Sequence, residues 1–338
     1  MDALDRQFMP GDWAEVRSLR EILATLDADG SLEALPFMPE MTPCCGRRFR
    51  VFKRAARTCV EEGGMRRMHN TVMLENLRCQ GEAHGECDRL CLFFWKDAWL
   101  RWVDPAAPPP PPKAPDGPDP ALPVMKEGRY FCQLTQLMQA TERIGRWDFT
   151  QFWHDWHART FPPLTFLRFM TYAVVVRVRQ RLLGVPFASV QGHLARTPVA
   201  ELNLKPGEMV EVKSRQEIAA TLDRKNHNRG LSFSAEMLPY CGRRLRVLRR
   251  VNCVILPDGS ALAMRNTVIL DGCICDGRTS RWGGCPRANL HFWREIWLRR
   301  AAPAVAEVLP ERAAPAEEEP EVLTHAKHTT FDSRDLPA

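Results

Sequence analysis

The motif Cys45-Gly-Arg-Arg-Phe-Arg-Val51 occurs a second time in this chain of 338 residues, as Cys241-Gly-Arg-Arg-Leu-Arg-Val247. Around the two copies, residues 10–79 align with residues 206–275 without a gap, and about 30 of roughly 70 aligned positions are identical. Self-similarity over such a length indicates two copies of one folding unit. The sequence therefore predicts a tandem-repeat architecture.

The repeat and the changes in composition divide the chain into six segments. We assign residues 1–10 to a leader, 11–103 to a first Cys-rich β repeat, 104–123 to a Pro-rich linker, 124–205 to a mainly helical middle segment, 206–300 to a second Cys-rich β repeat and 301–338 to a disordered acidic tail. A proline run such as that in the linker favours extended polyproline II structure and acts as a semi-rigid spacer.

Local signals within each repeat predict short strands, a one-turn helix and a final helix, and Pro257-Asp258-Gly259 predicts a turn between two strands of the second repeat. Ser18 and Glu21 match a capping box, and Ser214 with Glu217 matches it in the second repeat. Trp95 and Trp99 stand four residues apart, which suits one face of a helix. We therefore predict closing helices at residues 88–102 and 289–300.

These elements indicate an α+β fold. It would consist of two homologous small β-barrel or sheet modules of SH3-like type, each closed by a C-terminal helix, flanking a helical segment. In that segment, residues 150–158 and 164–183 are the candidate helices.

Composition and charge are those of a globular protein with a mildly basic balance. Hydrophobic residues make up 45%, charged residues 26%, and the formal net charge is +6. The N-terminus lacks the pattern of a secretory signal, and no apolar run in the sequence suffices for a transmembrane segment. We expect a cytoplasmic protein, whose twelve cysteines would stay reduced and whose repeated cysteines would point to metal.

Three cysteines of the first repeat recur in the second. Cys45 matches Cys241, Cys79 matches Cys275, and Cys87 matches Cys285 after a two-residue insertion. In each copy the first cysteine stands at a predicted turn before a strand, the second just after a strand and the third just before the closing helix. Structural zinc sites draw thiolates from such turns. With Cys91 as fourth ligand, the first repeat predicts a tetrahedral site of four thiolates.

The second repeat departs from this pattern, because Asn289 stands where the first has Cys91. His291 is the candidate fourth ligand there, and Cys273 is also near. We predict two structural zinc ions, one in each repeat; the alternative is that the thiols are small buried hydrophobes. That second interpretation suits the cysteines without a counterpart, namely Cys44, Cys59, Cys132 and Cys253.

Arginines concentrate on one predicted strand of each repeat and suggest a second function, nucleic-acid binding. The candidate residues are Arg47, Arg48, Arg50, Arg243, Arg244 and Arg246. Two such faces would track phosphates, with tryptophans nearby to stack bases. The alternative is a solvated strand face paired with acidic residues.

The middle segment offers two further hypotheses. His154, Asp155 and His157 would carry the chemistry of a metal-dependent enzyme or enzyme partner, or would be ordinary surface residues. Residues 164–183 combine apolar positions with spaced arginines, which favours either a packing helix or peripheral contact with an anionic membrane.

Three stretches of the second repeat carry a resemblance to known sequences. Residues 229–242, 246–251 and 293–298 resemble a group of uncharacterised bacterial tandem-repeat proteins that carry the same module, often twice. The resemblance implies a bacterial protein of this architecture and implies no particular reaction.

The usual catalytic motifs are missing from the sequence, including phosphate loops, dinucleotide fingerprints and nucleophile elbows. We therefore favour a non-enzymatic, zinc-stabilised tandem-module adaptor or binding protein with a protein partner, accessory to a bacterial biosynthetic pathway. The sequence identifies no catalytic residue.

Overall fold

A computed structural model describes most of the chain between residues 7 and 301. The described residues are 7–61, 64–104, 106, 121–145, 148, 150, 190–277 and 284–301, with single positions between 164 and 182. The leader lies largely outside them, as do most of the Pro-rich linker and nearly all of the tail.

One antiparallel sheet of five strands forms the centre of the first module. The strands of this module are β1 (Trp13–Val16), β2 (Ser31–Leu32), β3 (Leu35–Pro36), β4 (Arg48–Arg54), β5 (Arg57–Val60), β6 (Gly64–Arg67), β7 (Thr71–Leu74), β8 (Trp95–Lys96) and β9 (Leu100–Trp102). The five-stranded sheet has the order β8-β7-β4-β1-β9, and β5 pairs with β6 beside it.

The second module repeats this arrangement strand by strand. Its strands are β13 (Met209–Val212), β14 (His227–Asn228), β15 (Leu231–Ser232), β16 (Arg244–Arg250), β17 (Cys253–Ile255), β18 (Ala261–Ala263), β19 (Thr267–Ile274), β20 (Leu290–Arg294) and β21 (Leu298–Arg300). The order β20-β19-β16-β13-β21 matches that of the first module. The turn predicted at Pro257-Asp258-Gly259 is confirmed as the connection between β17 and β18.

Each core is built around two fully buried tryptophans. Trp99 donates its indole N–H to Thr25 Oγ1 at 3.1 Å, and Trp297 donates to Thr221 Oγ1 at the same distance. Phe37 lies edge-on to Trp99 with ring centroids 5.4 Å apart, and an equivalent phenylalanine packs on Trp297. The indole N–H groups of Trp99 and Trp297 are thus satisfied while their large apolar surfaces are removed from water, whereas the buried indole nitrogens of Trp95 and Trp293 have no hydrogen-bond partner among the described residues.

The one-turn helices of both modules carry the predicted capping boxes. In α1 (Leu19–Leu23) the Ser18 hydroxyl accepts from the Glu21 backbone N–H, and the Glu21 carboxylate accepts from the Ser18 N–H. Helix α2 (Arg215–Ala219) repeats both hydrogen bonds with Ser214 and Glu217. The capping-box prediction is confirmed in both repeats.

The predicted α+β fold with closing helices is wrong. Residues 88–102 contain strand β8, the 3-10 helix Asp97–Trp99 and strand β9. Residues 289–300 form β20, the 3-10 helix Glu295–Trp297 and β21. Trp95 and Trp99 still share one core, because the short 3-10 helix turns the chain between the strands. The spacing of four therefore arises without an α-helix, and the aromatic run before Trp95 favours extended structure.

The prediction of a mainly helical middle segment is likewise wrong for residues 124–145. These residues form β10 (Met125–Lys126), β11 (Arg129–Tyr130) and β12 (Glu142–Arg143). Strand β12 joins β6, so this segment extends a sheet of the first module. The candidate helices at 150–158 and 164–183 lie outside the described residues except for scattered positions.

Candidate functional site

The two modules contact each other through one loop from each of them. We call residues 79–92 the first crossing loop, and the described residues 275–277 and 284–290 the second crossing loop. Both begin at the second recurring cysteine, Cys79 or Cys275, and contain the third. Each packs against the strand of the other module that follows the arginine-rich strand, namely β17 or β5.

The first crossing loop binds the start of β17 mainly through Asp88. The Asp88 N–H donates to Cys253 O at 2.8 Å, and its carboxylate accepts from the Asn252 N–H at 2.8 Å. Arg249 Nε lies 2.9 Å from the other carboxylate oxygen. Leu90 completes a small apolar cluster inside the second module. Polar and apolar contacts together hold this loop on the neighbouring module.

The second crossing loop makes the reciprocal contacts with the first module. Arg287 donates to Cys59 O, on β5, at 2.9 Å. The Cys285 and Cys59 sulfur atoms are 3.0 Å apart. Ala288 is buried in the core of the first module, and its carbonyl accepts from Arg78 at 3.1 Å. Each module therefore contacts the other through its own crossing loop.

A glycine with positive φ allows the tight turn at the start of each crossing loop. Gly81 has φ 76°, and a Cβ at this position would lie 2.5 Å from Cys87 N. Gly277 has φ 67°, and its Cβ would lie 2.5 Å from Cys285 N. Only glycine fits both the conformation and the close approach. Each third cysteine is thereby packed against the turn that follows the second.

Four thiols line one small cavity beside the first crossing loop. Cys79, Cys87 and Cys91 belong to that loop, and Cys132 comes from the middle segment. The cavity has a volume of about 40 Å³, which is enough space for an ion or a few water molecules. Among the residues that the structure describes, no three or more His, Cys, Asp or Glu side chains are arranged to hold a metal ion. The thiols share a cavity without forming a ready ligand set.

Burial keeps most of these thiols protonated at neutral pH. It raises the pKa of Cys132 to about 11 and also raises the pKa of Cys87. The pKa of Cys79 is raised by burial and by the nearby Glu40 carboxylate. In a low-dielectric site the charged form of such groups is disfavoured.

His84 also lines this cavity, but both of its ring nitrogens are already bonded. Nδ1 lies 2.6 Å from Glu40 Oε1, and Nε2 lies 3.0 Å from Phe131 O. Burial acts to raise the pKa of Glu40, but the hydrogen bond and charge of His84 outweigh it and lower that pKa. His84 therefore fixes the loop to the middle segment.

The equivalent place in the second module is an open cleft between the modules. It encloses about 400 Å³ and includes Cys91 and Arg89 from the first crossing loop. From the second module it includes Cys275, whose thiol donates to Glu236 Oε2 at 2.8 Å, and His291. Burial, followed by the Glu236 charge, raises the pKa of Cys275. This thiol is therefore a hydrogen-bond donor at neutral pH.

The structure brings the predicted zinc ligands together only in part. Cys79, Cys87 and Cys91 share one cavity, whereas Cys45 packs against the core of the first module. In the second module, Cys241 packs against the core, and Cys285 contacts Cys59 rather than Cys275. His291 lies beside Tyr240, with ring centroids 6.3 Å apart, and lines the cleft with Cys275.

The sequence interpretation missed four residues of this region. Glu40 and Glu236 occupy identical aligned positions, so the repeat itself contained a signal for them. Cys59 and Cys132 have no counterpart in the other repeat and were assigned to core filling. Their contacts cross between segments, and no local pattern reports such contacts.

The arginine-rich strands carry charges of both signs on their exposed face. Glu15 on β1 lies between Arg48, at 3.3 Å, and Arg101, at 3.5 Å. In the second module Glu211 is opposite Arg244 across the strands and pairs with Arg299 at 3.7 Å. Arg47 and Arg243 lie over the rings of Phe49 and Tyr240, Arg50 donates to Gly11 O, and Arg246 is exposed. Arg48 thus has an acidic partner, while Arg47, Arg50, Arg243, Arg244 and Arg246 are exposed, and the nucleic-acid interpretation of these strands stays a prediction.

The remaining candidate residues fall in the middle segment. His154, Asp155 and His157 lie outside the described residues, as does most of the stretch 164–183. None of the helices in the described part of the chain has the length and hydrophobicity that crossing a bilayer requires.

Comparison with protein-family models, curated proteins and solved structures finds no match to this chain. The site is therefore interpreted from its own residues.

Proposed function

We propose that this chain is a non-enzymatic binding protein whose first crossing loop is held to the middle segment by a structural zinc ion at Cys79, Cys87, Cys91 and Cys132. The observation that supports this is the meeting of four thiols from two distant segments around one small cavity. Zinc favours four thiolates in a closed tetrahedral site, at about 2.3 Å from each sulfur. Their side chains would have to turn toward a common centre to reach that geometry.

The ligand set differs from the one that the repeat pattern predicts. Cys132 takes the place of Cys45, which packs in the module core. A single site would then join the first crossing loop to the middle segment. A closed site with four protein ligands leaves no open position for substrate, so its role is structural.

Zinc binding at this site would release protons. The raised pKa values of Cys79, Cys87 and Cys132 mean that these thiols are protonated before the metal binds. Thiolates are the ligands, so protons compete with zinc and the affinity for zinc falls as the pH is lowered.

The open cleft between the modules is where we place the partner. Its lining includes the ion pair of Glu61 with Arg89, at 2.7 Å, and apolar side chains such as Phe292. Such a surface, fixed by the crossing loops, suits a binding role for the modules.

Metal content of the full chain, purified without added metal, tests this proposal. We expect about one zinc ion per chain, measured by elemental analysis, and its loss in the variants Cys87→Ala, Cys91→Asn and Cys132→Ala. Cys91→Asn reproduces the residue that the second repeat has at this position.

The matched controls are Cys45→Ala and Cys241→Ala, which should keep the zinc. A wild-type chain without zinc would overturn the proposal. Retention of zinc in Cys132→Ala together with its loss in Cys45→Ala would return the site to the ligand set predicted from the repeat.

A further inference from the structure

One pair of thiols joins the two modules directly. Cys59 lies on β5 of the first module, and Cys285 lies in the second crossing loop. Their sulfur atoms are 3.0 Å apart, and both cysteines are free. A disulfide bond is about 2.05 Å long, so a shift of roughly 1 Å would allow one to form.

The two thiols differ in exposure. Cys285 is 3% exposed, whereas Cys59 is only partly buried. Arg287 places its guanidinium 4.0 Å from Cys59 Sγ and donates to the Cys59 carbonyl. A partly buried thiol beside a cation and a fully buried second thiol are the parts of a dithiol that forms a disulfide.

The charged neighbours of Cys59 favour its thiolate. The hydrogen bond from Cys285 and the charge of Arg287 lower the pKa of Cys59 to about 6, against burial and the more distant Glu236 carboxylate. The same hydrogen bond and burial raise the pKa of Cys285, opposed by Arg287. Cys59 is thus the nucleophile, and Cys285 supplies the second thiol.

We propose that Cys59 and Cys285 form a reversible disulfide that covalently links the two modules. This site is distinct from the proposed zinc ligands.

The oxidant is a low-molecular-weight disulfide such as oxidised glutathione. The Cys59 thiolate attacks one sulfur of that disulfide, which breaks its S–S bond, forms a mixed disulfide at Cys59 and releases one small thiolate. Cys285, after losing its proton, attacks Cys59 Sγ, forms the Cys59–Cys285 bond and releases the second small thiolate. Two electrons pass from the protein thiols to the small disulfide, and the two protein protons end on the two small thiols.

The test exposes the full wild-type chain to oxidised glutathione, blocks remaining thiols with an alkylating agent and maps disulfides by mass spectrometry. We expect one Cys59–Cys285 crosslink, loss of two free thiols per chain and recovery of both with dithiothreitol. The rate of reaction should fall as the pH is lowered through about 6, because the Cys59 thiolate is lost.

Two variants assign the roles. Cys285→Ser should stop at a stable glutathione adduct on Cys59, and Cys59→Ser should show neither adduct nor crosslink. The control Cys253→Ser, which removes a partly buried thiol elsewhere in the interface, should crosslink as the wild type does.

Absence of the crosslink in the wild type, or a crosslink between other cysteines, would overturn the proposal. Reaction that occurs only after a chelator has removed a metal would assign the pair to a metal site and would also overturn it. The zinc content of Cys59→Ser is read separately, so failure here is distinguishable from failure of the proposed zinc site.

Discussion

The two modules share their core and differ in their crossing loops. Both have the same strand order and the same pairing of a buried tryptophan with a threonine. The first crossing loop, however, ends beside Cys91 and Cys132, whereas the second has Asn289 and contacts Cys59. The shared core keeps the fold, and the differing loops make the two halves of the interface chemically unequal.

The two crossing loops also differ at the residue that follows the third recurring cysteine, Cys87 or Cys285. Asp88 binds Arg249 and the backbone of the second module, but the aligned residue in the second crossing loop is Pro286. The second loop uses the neighbouring Arg287 instead, which bonds to the Cys59 carbonyl. One loop therefore docks through a carboxylate and the other through a guanidinium.

The largest expected loss of stability comes from the buried tryptophans that both module cores share. Trp99→Ala and Trp297→Ala each remove a fully buried indole, and each should lower the free energy of unfolding by about 3–5 kcal/mol. Because the loops interlock the modules, we expect one cooperative transition in equilibrium urea unfolding followed by circular dichroism.

Leu262→Ala is the control for these variants, since this side chain is 44% exposed and should cost less than about 1 kcal/mol. Two separate transitions, with only one moved by each tryptophan variant, would show that the modules unfold independently.

The next largest loss of stability concerns Asp88, a residue that distinguishes the first crossing loop from the second. Asp88→Ala leaves Arg249 and the Asn252 N–H without their carboxylate partner, and should lower the free energy of unfolding by about 2–3 kcal/mol. The measurement is the same urea titration.

Asp29→Ala provides the comparison for Asp88. It breaks an exposed ion pair with Lys126 and should change the free energy of unfolding by about 0–1 kcal/mol. An equally small effect of Asp88→Ala would mean that the carboxylate does not stabilise the contact between the modules.

The smallest effect concerns the two capping boxes, which should respond alike. Hydrogen bonds from Ser18 and Ser214 lower the pKa of Glu21 and Glu217, although burial acts in the opposite direction. A lowered pKa in the folded state gives stability that is present above the unfolded-state pKa and is lost as the pH falls through the folded-state pKa.

Glu21→Gln and Glu217→Gln should therefore each cost at most about 1 kcal/mol at pH 7, and less in acid. Thermal unfolding at pH 7 and at pH 3 measures both values, with Glu201→Gln in an exposed segment as the control. A cost that grows on acidification would contradict this assignment.

Local signals account for the features that could be predicted from the sequence. The capping boxes and the turn between β17 and β18 depend on residues within three or four positions of each other. The prediction of closing helices was wrong because two tryptophans four residues apart fit a strand, a 3-10 helix and a second strand as well as they fit an α-helix. Periodicity over so few residues does not separate these two cases.

The candidate site could be predicted where the repeat aligned its residues and, for Cys91, where a cysteine stands four positions after Cys87. The alignment picked out Cys79 and Cys87, which line the cavity, but it also picked out Cys45, which packs in the core. Cys59 and Cys132 have no aligned partner, and the contacts they make cross between segments. The repeat pattern selects residues that occur in both copies, so a residue present in one copy alone gives no signal in it.

The crossing loops also give the chain the symmetry of a dimer. In a twofold assembly each subunit offers the same patch to the other, so that every contact is made in both directions. Here a loop of each half meets the matching strand of the other half, and Cys59 aligns with Ile255, whose N–H donates to Cys87 Sγ at 3.3 Å. One polypeptide thus contains both partners of an isologous contact. Because the chain itself joins the two modules, each module can change the residues of its own crossing loop while the other module stays attached.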